Sequence, residues 1–231
     1  MNANHTAATI VIAACTAALH AQTMTLTDDQ RVIEALAEYQ TQDDQFGFDT
    51  RDSTPTQPFE IWGDNVGVDI VRANANASMS SILTQGTMLT SGSADAHAVH
   101  DVDSSVFTIA FGTSRHIIGF NISETTSFAL IVDLVATGTA ESFITVRQDS
   151  QFGNLLHEHA MTDGSVRIDE QITLDAGTYY LEFRAESHLE LYSPADETGY
   201  ASFDAAWAIV PAPATALLPL TGLMLTARRR R

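Results

Sequence analysis

Lysine is absent from this 231-residue chain. All 11 basic residues are arginine, and four of them occupy the last four positions. Between Thr23 and Ile209, seven arginines face all 29 acidic residues, a net charge of −22. A surface of that sign repels nucleic acid and anionic lipid, which excludes DNA and RNA as partners. Such acidity is first of all a solvated face. Cysteine is nearly missing as well: Cys15 stands alone, inside an N-terminal apolar run. Disulfides and thiolate metal sites are thereby excluded from the domain that follows, which must be held by its core. The motifs of common catalytic sites are also missing. There is no Gly-x-Ser-x-Gly, no His-Glu-x-x-His, no phosphate loop and no cysteine nucleophile. Two facing carboxylates, all that a glycosidase needs, leave no such signature. The expectation is a domain that is not an enzyme.

Long apolar runs are lacking too, but two short ones bracket the chain. Ala7 to Leu19 is thirteen residues long and is followed by Leu19-His20-Ala21. That suits the core of a signal peptide and is too short for a spanning helix. Residues 1–21 are read as the signal peptide, with cleavage after Ala18 as the alternative. Ile12-Ala-Ala-Cys15 also fits a lipoprotein box, which would duplicate the anchor at the other end.

The C-terminal stretch has three parts. Val210-Pro211-Ala212-Pro213 comes first, an uncharged run from Ala214 to Ala227 second, and Arg228, Arg229, Arg230 and Arg231 last. The sixteen residues from Ala212 to Ala227 reach roughly 24 Å as a helix, short of the ~30 Å hydrocarbon core. Snorkelling arginines or a thinned bilayer make up the difference. The arginines stay on the cytoplasmic side and stop transfer there, which leaves the domain outside.

This order resembles the PEP-CTERM sorting signal of bacterial exosortase substrates, in the variant that reads Val-Pro-x-Pro. Ala212 stands where the commonest form has Glu. The resemblance implies a transient membrane anchor, formed by a short transmembrane helix and removed near the Pro motif by an exosortase-like processing enzyme. The upstream domain is then released or attached at the cell surface.

Residues 22–209 form the domain. Over Leu26 to Tyr39, Val32, Ile33, Leu36 and Tyr39 fit a helical face, while Ile33, Ala35, Ala37 and Tyr39 fit a strand. Glu34-Ala-Leu-Ala-Glu38 favours helix by propensity. Thr41 to Pro58 reads as a loop. After it, alternation with period two dominates. Val66, Val68 and Ile70 run in one parity and Val71 to Met79 in the other, which predicts a bulge or bend between them. Phe107, Ile109 and Phe111 are followed by a turn over 112–115, then by Ile118, Phe120 and Ile122. Phe128 to Leu134, Ile144 and Val146, Val166 to Leu174, Tyr179 to Ala185, and Phe203 to Ile209 alternate in turn. Many short one-sided strands predict an all-β fold, two antiparallel sheets packed as a β-sandwich.

Ile172-Thr-Leu-Asp-Ala-Gly-Thr-Tyr-Tyr-Leu-Glu-Phe183 resembles the penultimate hairpin of bacterial jelly-roll modules. That likeness, with the layout of surface proteins carrying this sorting signal, implies that residues 28–40 form a strand beside the chain's last strand.

The candidate metal ligands are His97, His100, Asp101 and Asp103, two imidazoles and two carboxylates within seven residues, on what reads as a polar loop. His157 and His159 alternate on one strand face and are a second, weaker pair. No cofactor is called for. A structural calcium would draw on Asp43, Asp44 and Asp49, or on Asp64, Asn65 and Asp69, though neither set has EF-hand spacing. Trp62, Tyr180, Tyr192 and Tyr200 are the candidate platform for a carbohydrate, while Tyr179 falls on the core parity.

The leading expectation is an exported cell-surface or extracellular-matrix protein with an acidic, non-catalytic sandwich, touching extracellular polysaccharide softly. The runner-up is a carbohydrate-binding jelly-roll module, ahead of a lyase or hydrolase on the same fold.

Overall fold

Alternation of inward apolar and outward polar side chains carries through twelve strands of a computed structural model that describes residues 24–101 and 105–210. The expected signal peptide, the sorting segment beyond Val210 and Asp103 lie outside these residues. In order the strands are β1 (Met24–Thr41), β2 (Phe46–Ser53), β3 (Trp62–Ile70), β4 (Ala73–Thr84), β5 (Thr87–His100), β6 (Ser105–Ile122), β7 (Thr126–Gly138), β8 (Ala140–Gln148), β9 (Asn154–Met161), β10 (Gly164–Leu174), β11 (Gly177–Leu191) and β12 (Ala195–Ile209). They make two antiparallel six-stranded sheets, ordered β2-β1-β6-β11-β8-β9 and β10-β7-β12-β5-β4-β3. The all-β sandwich is as expected.

The interior has two halves. One is aromatic: Phe128 stacks on Trp207 with centroids 4.7 Å apart, and Phe120 lies within 5.8 Å of both Phe128 and Tyr179. All four are buried. Each buried large side chain is worth about 1.5–3 kcal/mol, and the ring pairs add about 0.5–1.5. The other half is small. Ala35, Ala37, Ala73, Ala75, Ala96, Ala98 and Ala110 pack there with Val68, Leu189 and Leu191. Small residues let the sheets approach closely, and Gly112 marks the limit: a Cβ there would sit 2.8 Å from the carbonyl oxygens of Asn76 and Asp95 on the opposite sheet.

That small-residue half explains several departures from the sequence reading. Residues 112–115 are not a turn. Strand β6 runs unbroken, its inner face passing through Ala110, Gly112 and Ser114 before reaching Ile118 and Phe120, while Phe107, Ile109 and Phe111 lie on the outer face. The parity change at Ile70 and Val71 is a two-residue hairpin, because Ile70 pairs with Ala73. Residues 46–53 form β2, an edge strand paired with β1 rather than part of a loop. The segment carrying His97 and His100 is likewise strand, the end of β5.

Residues 24–41 are a strand despite the helix formers in Glu34 to Glu38, because Ile33, Ala35 and Ala37 complete the inner face. Tertiary packing overrides local propensity here. Its neighbours are β2 and β6, not the last strand. The place beside β12 belongs to β5 and β7. Nor is Ile172–Phe183 a hairpin. Its first strand, β10, pairs with β7 in one sheet and its second, β11, pairs with β6 and β8 in the other. The turn at Asp175-Ala-Gly177 therefore crosses between the sheets.

Candidate functional site

Strand geometry separates the first set of metal candidates. His97 and His100 are three residues apart on β5, so their side chains leave opposite faces. His97 is partly exposed, with Nε2 2.8 Å from Asp196 Oδ1 and Nδ1 3.3 Å from Asn74 Nδ2. His100 is buried. The Asp101 main-chain N–H donates to Ser105 Oγ at 3.3 Å, and Asp103 lies outside the described residues.

The calcium candidates are also spread out. Asp44 sits at φ 57° in the turn between β1 and β2. Asp49 lies 3.6 Å from Arg51 Nη2. Asp64 accepts from Ser53 Oγ and from the Asn65 main-chain N–H, and the Ser53 bond in particular holds its carboxyl below the ordinary range. Asp69, five positions along β3, leaves the opposite face.

The aromatic candidates do not converge either. Tyr180 lies on the outer face of one sheet and Tyr200 on the outer face of the other. Tyr192 follows the far end of β11 and donates to Glu190. Trp62 is half-buried, with the Arg31 guanidinium 5.7 Å from its ring centroid.

One group of three metal-ligating side chains does converge among the described residues: His157, His159 and Glu170. His157 and His159 lie on the inner face of β9, opposite core residues Val146 and Ile144 of β8. Glu170 lies on the inner parity of β10, between Ile168 and Ile172 and opposite Leu130. Strands β9 and β10 are the edges of different sheets, joined by Thr162 and Asp163 alone. The arch brings His157 Nε2 to 2.6 Å and His159 Nε2 to 3.0 Å from Glu170 Oε1, with the two Nε2 atoms 3.1 Å apart. Burial opposes ionisation of Glu170, but the hydrogen bonds from His157 and His159 prevail and hold its carboxyl below the ordinary value. The histidine pair was visible in the sequence. Glu170 was missed, although an acid at an apolar position of an alternating strand is the signal that reveals it.

A second polar cluster, also missed, is buried at the mouth of the core. Asp29 and Arg31 of β1 have fully buried side chains and pair at 2.6 Å. Arg31 Nη1 donates to the Glu60 carbonyl at 2.7 Å and to Ser81 Oγ at 2.9 Å. The Phe59 main-chain N–H donates to Asp29 Oδ2. His116, opposite Arg31 on β6, lies 3.2 Å from Asp29 Oδ1 and 3.0 Å from Thr90 Oγ1. Burial pushes the His116 pKa down, so the imidazole is neutral. Burial raises that of Asp29, but the bonds from His116 and Phe59 and the charge of Arg31 outweigh it and the net direction is downward. The cluster ties the β2–β3 connection to the sandwich, which is a structural task.

No family model and no curated protein matches the chain. Solved structures match weakly. The enzymatically active domain of tailspike protein 4 from bacteriophage CBA120 is 14% identical over 64% of this chain and 19% of its own, at a TM-score of 0.23. A glycoside hydrolase family 43 arabinoxylan arabinofuranohydrolase from Bacillus subtilis is 10% identical over 70% of this chain and 56% of its own, at 0.24. TmCBM61, solved with β-1,4-galactotriose, is 9% identical over 62% and 86%, at 0.17. The chain spans about a fifth and about half of the first two. At such scores none carries an argument about function.

Proposed function

We propose that this is an exported, exosortase-sorted cell-surface or extracellular-matrix protein whose acidic sandwich is not an enzyme and acts by display. The observation that carries the reading is the order of Val210-Pro-Ala-Pro213, the uncharged run and the four arginines. The sandwich suits it. Val210, the first residue of the motif, directly follows β12, and its main-chain N–H donates to the Ser127 carbonyl at 2.8 Å. Processing beyond Val210 would leave every strand whole.

The last eight strands support a jelly roll. Orders β10-β7-β12-β5 and β6-β11-β8-β9 are those of two interleaved Greek keys, with β3 and β4 extending one sheet and β1 and β2 the other. The scattered positions of Trp62, Tyr180, Tyr192 and Tyr200 favour display over a carbohydrate platform.

Mass spectrometry of mature protein from its native host tests the sorting claim. The expected C-terminus lies near Val210 to Pro213 and the N-terminus at Gln22 or Leu19. Recovery of mature protein ending at Arg231 overturns it. Replacing Arg228 to Arg231 by glutamates should block retention and processing by removing the positive-inside signal.

A further inference from the structure

Inner positions of β8, β9 and β10 are apolar where the sandwich needs core, as Ile144, Val146 and Ile168 show. His157, His159 and Glu170 break that rule together, where the edge strands β9 and β10 of the two sheets face each other across the two-residue arch. Hydrogen bonds fill the triangle they form only at close quarters. If both rings carry their proton on Nε2, two N–H groups crowd one oxygen with their nitrogens 3.1 Å apart. If only one does, the bare nitrogen of the other faces a carboxylate oxygen at 2.6 or 3.0 Å. A cation at the centre accepts a lone pair from all three.

We propose that His157, His159 and Glu170 bind one borderline divalent cation of the zinc class, clipping the edge of one sheet to the edge of the other. Two imidazole nitrogens and one carboxylate oxygen are a recognised zinc set. With ligand bonds of about 2.0–2.1 Å, tetrahedral ligands sit roughly 3.3 Å apart, so the observed 2.6 to 3.1 Å triangle needs only a small expansion. Nitrogen donors select zinc over calcium and magnesium, which favour oxygen. The three side chains are 27 to 34% exposed, so the ion has an entry path and water takes the fourth position. In a domain without cysteine the clip performs the cross-linking that a disulfide gives other small exported folds.

The test uses the full chain, purified in mild detergent, freed of metal by chelation and titrated with ZnCl2, CaCl2 and MgCl2. One zinc per chain is expected by saturable binding, with a rise in Tm of about 5 to 10 °C at a hundredfold excess over Kd. His157→Ala, His159→Ala and Glu170→Gln should each weaken zinc about tenfold or more, while His97→Ala leaves it unchanged. Should the three variants fail to fold, ring NMR of the unaltered chain decides. Zinc must shift the signals of two of the eight histidines, both in β9. Absence of saturable zinc binding, unchanged affinity in the folded β9 and β10 variants, or shifts at His97 or His100 instead would overturn the proposal. Loss of the C-terminal processing claim would leave this result untouched.

Discussion

At Asp29 and Arg31 the chain buries a full ion pair, and its value lies in what happens when it is broken. Arg31→Met strands the Asp29 carboxylate away from water and should cost about 3–5 kcal/mol, measured by urea unfolding near neutral pH. The same cluster sets an acid response. His116 stays neutral in the fold because its pKa is lowered from the ordinary 6.5. The unfolded chain takes up that proton first, so stability falls as pH drops below about 6.5, by no more than about 1.4 kcal/mol per pH unit for this group. Asp29 is also lowered, from 3.8, so its contribution is present above that value and disappears as pH falls further. Two acid steps are expected, and His116→Gln should remove the first. Groups facing His116 in that comparison are Asp29, Arg31 and Thr90. A single step below pH 4 would contradict this account. Gly112 offers a simpler residue test. Its added Cβ would meet two carbonyl oxygens at 2.8 Å, so Gly112→Ala should destabilise by about 1–3 kcal/mol.

Among the elements, position within a sheet decides how firmly each strand is held. Strands β6 and β12 have hydrogen-bonded neighbours on both sides, whereas β2, β3, β9 and β10 are edges. Edge strand β2 also exposes Phe46 and Phe48. Its Gly47 leaves room for the Tyr39 ring, which covers it from β1. Hydrogen exchange should therefore be fastest in β2 and slowest in β6 and β12, whose opening approaches global unfolding. Zinc should slow exchange in β9 and β10 and leave β2 unaffected. Equal protection of β2 and β6 without metal would show that edge position does not govern local opening.

For the whole molecule, charge is the dominant long-range effect. A net charge of −22 over residues 23–209 repels itself, and the repulsion is screened within about 8 Å at physiological salt. Tm should rise smoothly with NaCl, and calcium and magnesium should give similar gains at matched ionic strength. The scattered placement of Asp44, Asp49, Asp64 and Asp69 supports that unselective response. A rise specific to calcium, abolished by Asp44→Asn or Asp49→Asn, would reveal an oxygen-ligated site instead.

Alternation is a local property of strands, since successive side chains must leave opposite faces. For that reason the sequence by itself determined the all-β class, the inward placement of Tyr179, Leu181, Phe183, Phe203, Ala205 and Trp207, and the shared face of His157 and His159. Cysteine content, equally local to count, settled that no disulfide lies within residues 22–209. Pairing is not local. Gly112 and Ser114 carry no apolar signature, so only the close approach of the opposite sheet shows that β6 continues through them. Helix formers in β1 gave way because Ile33, Ala35 and Ala37 were needed to cover the core. His97 and His100, three residues apart, were parted by strand parity, and Glu170 was carried to the β9 histidines by an arch that no spacing rule anticipates. Tertiary structure alone decided which polar groups meet, because strand order and sheet-to-sheet crossing follow from packing the whole chain at once.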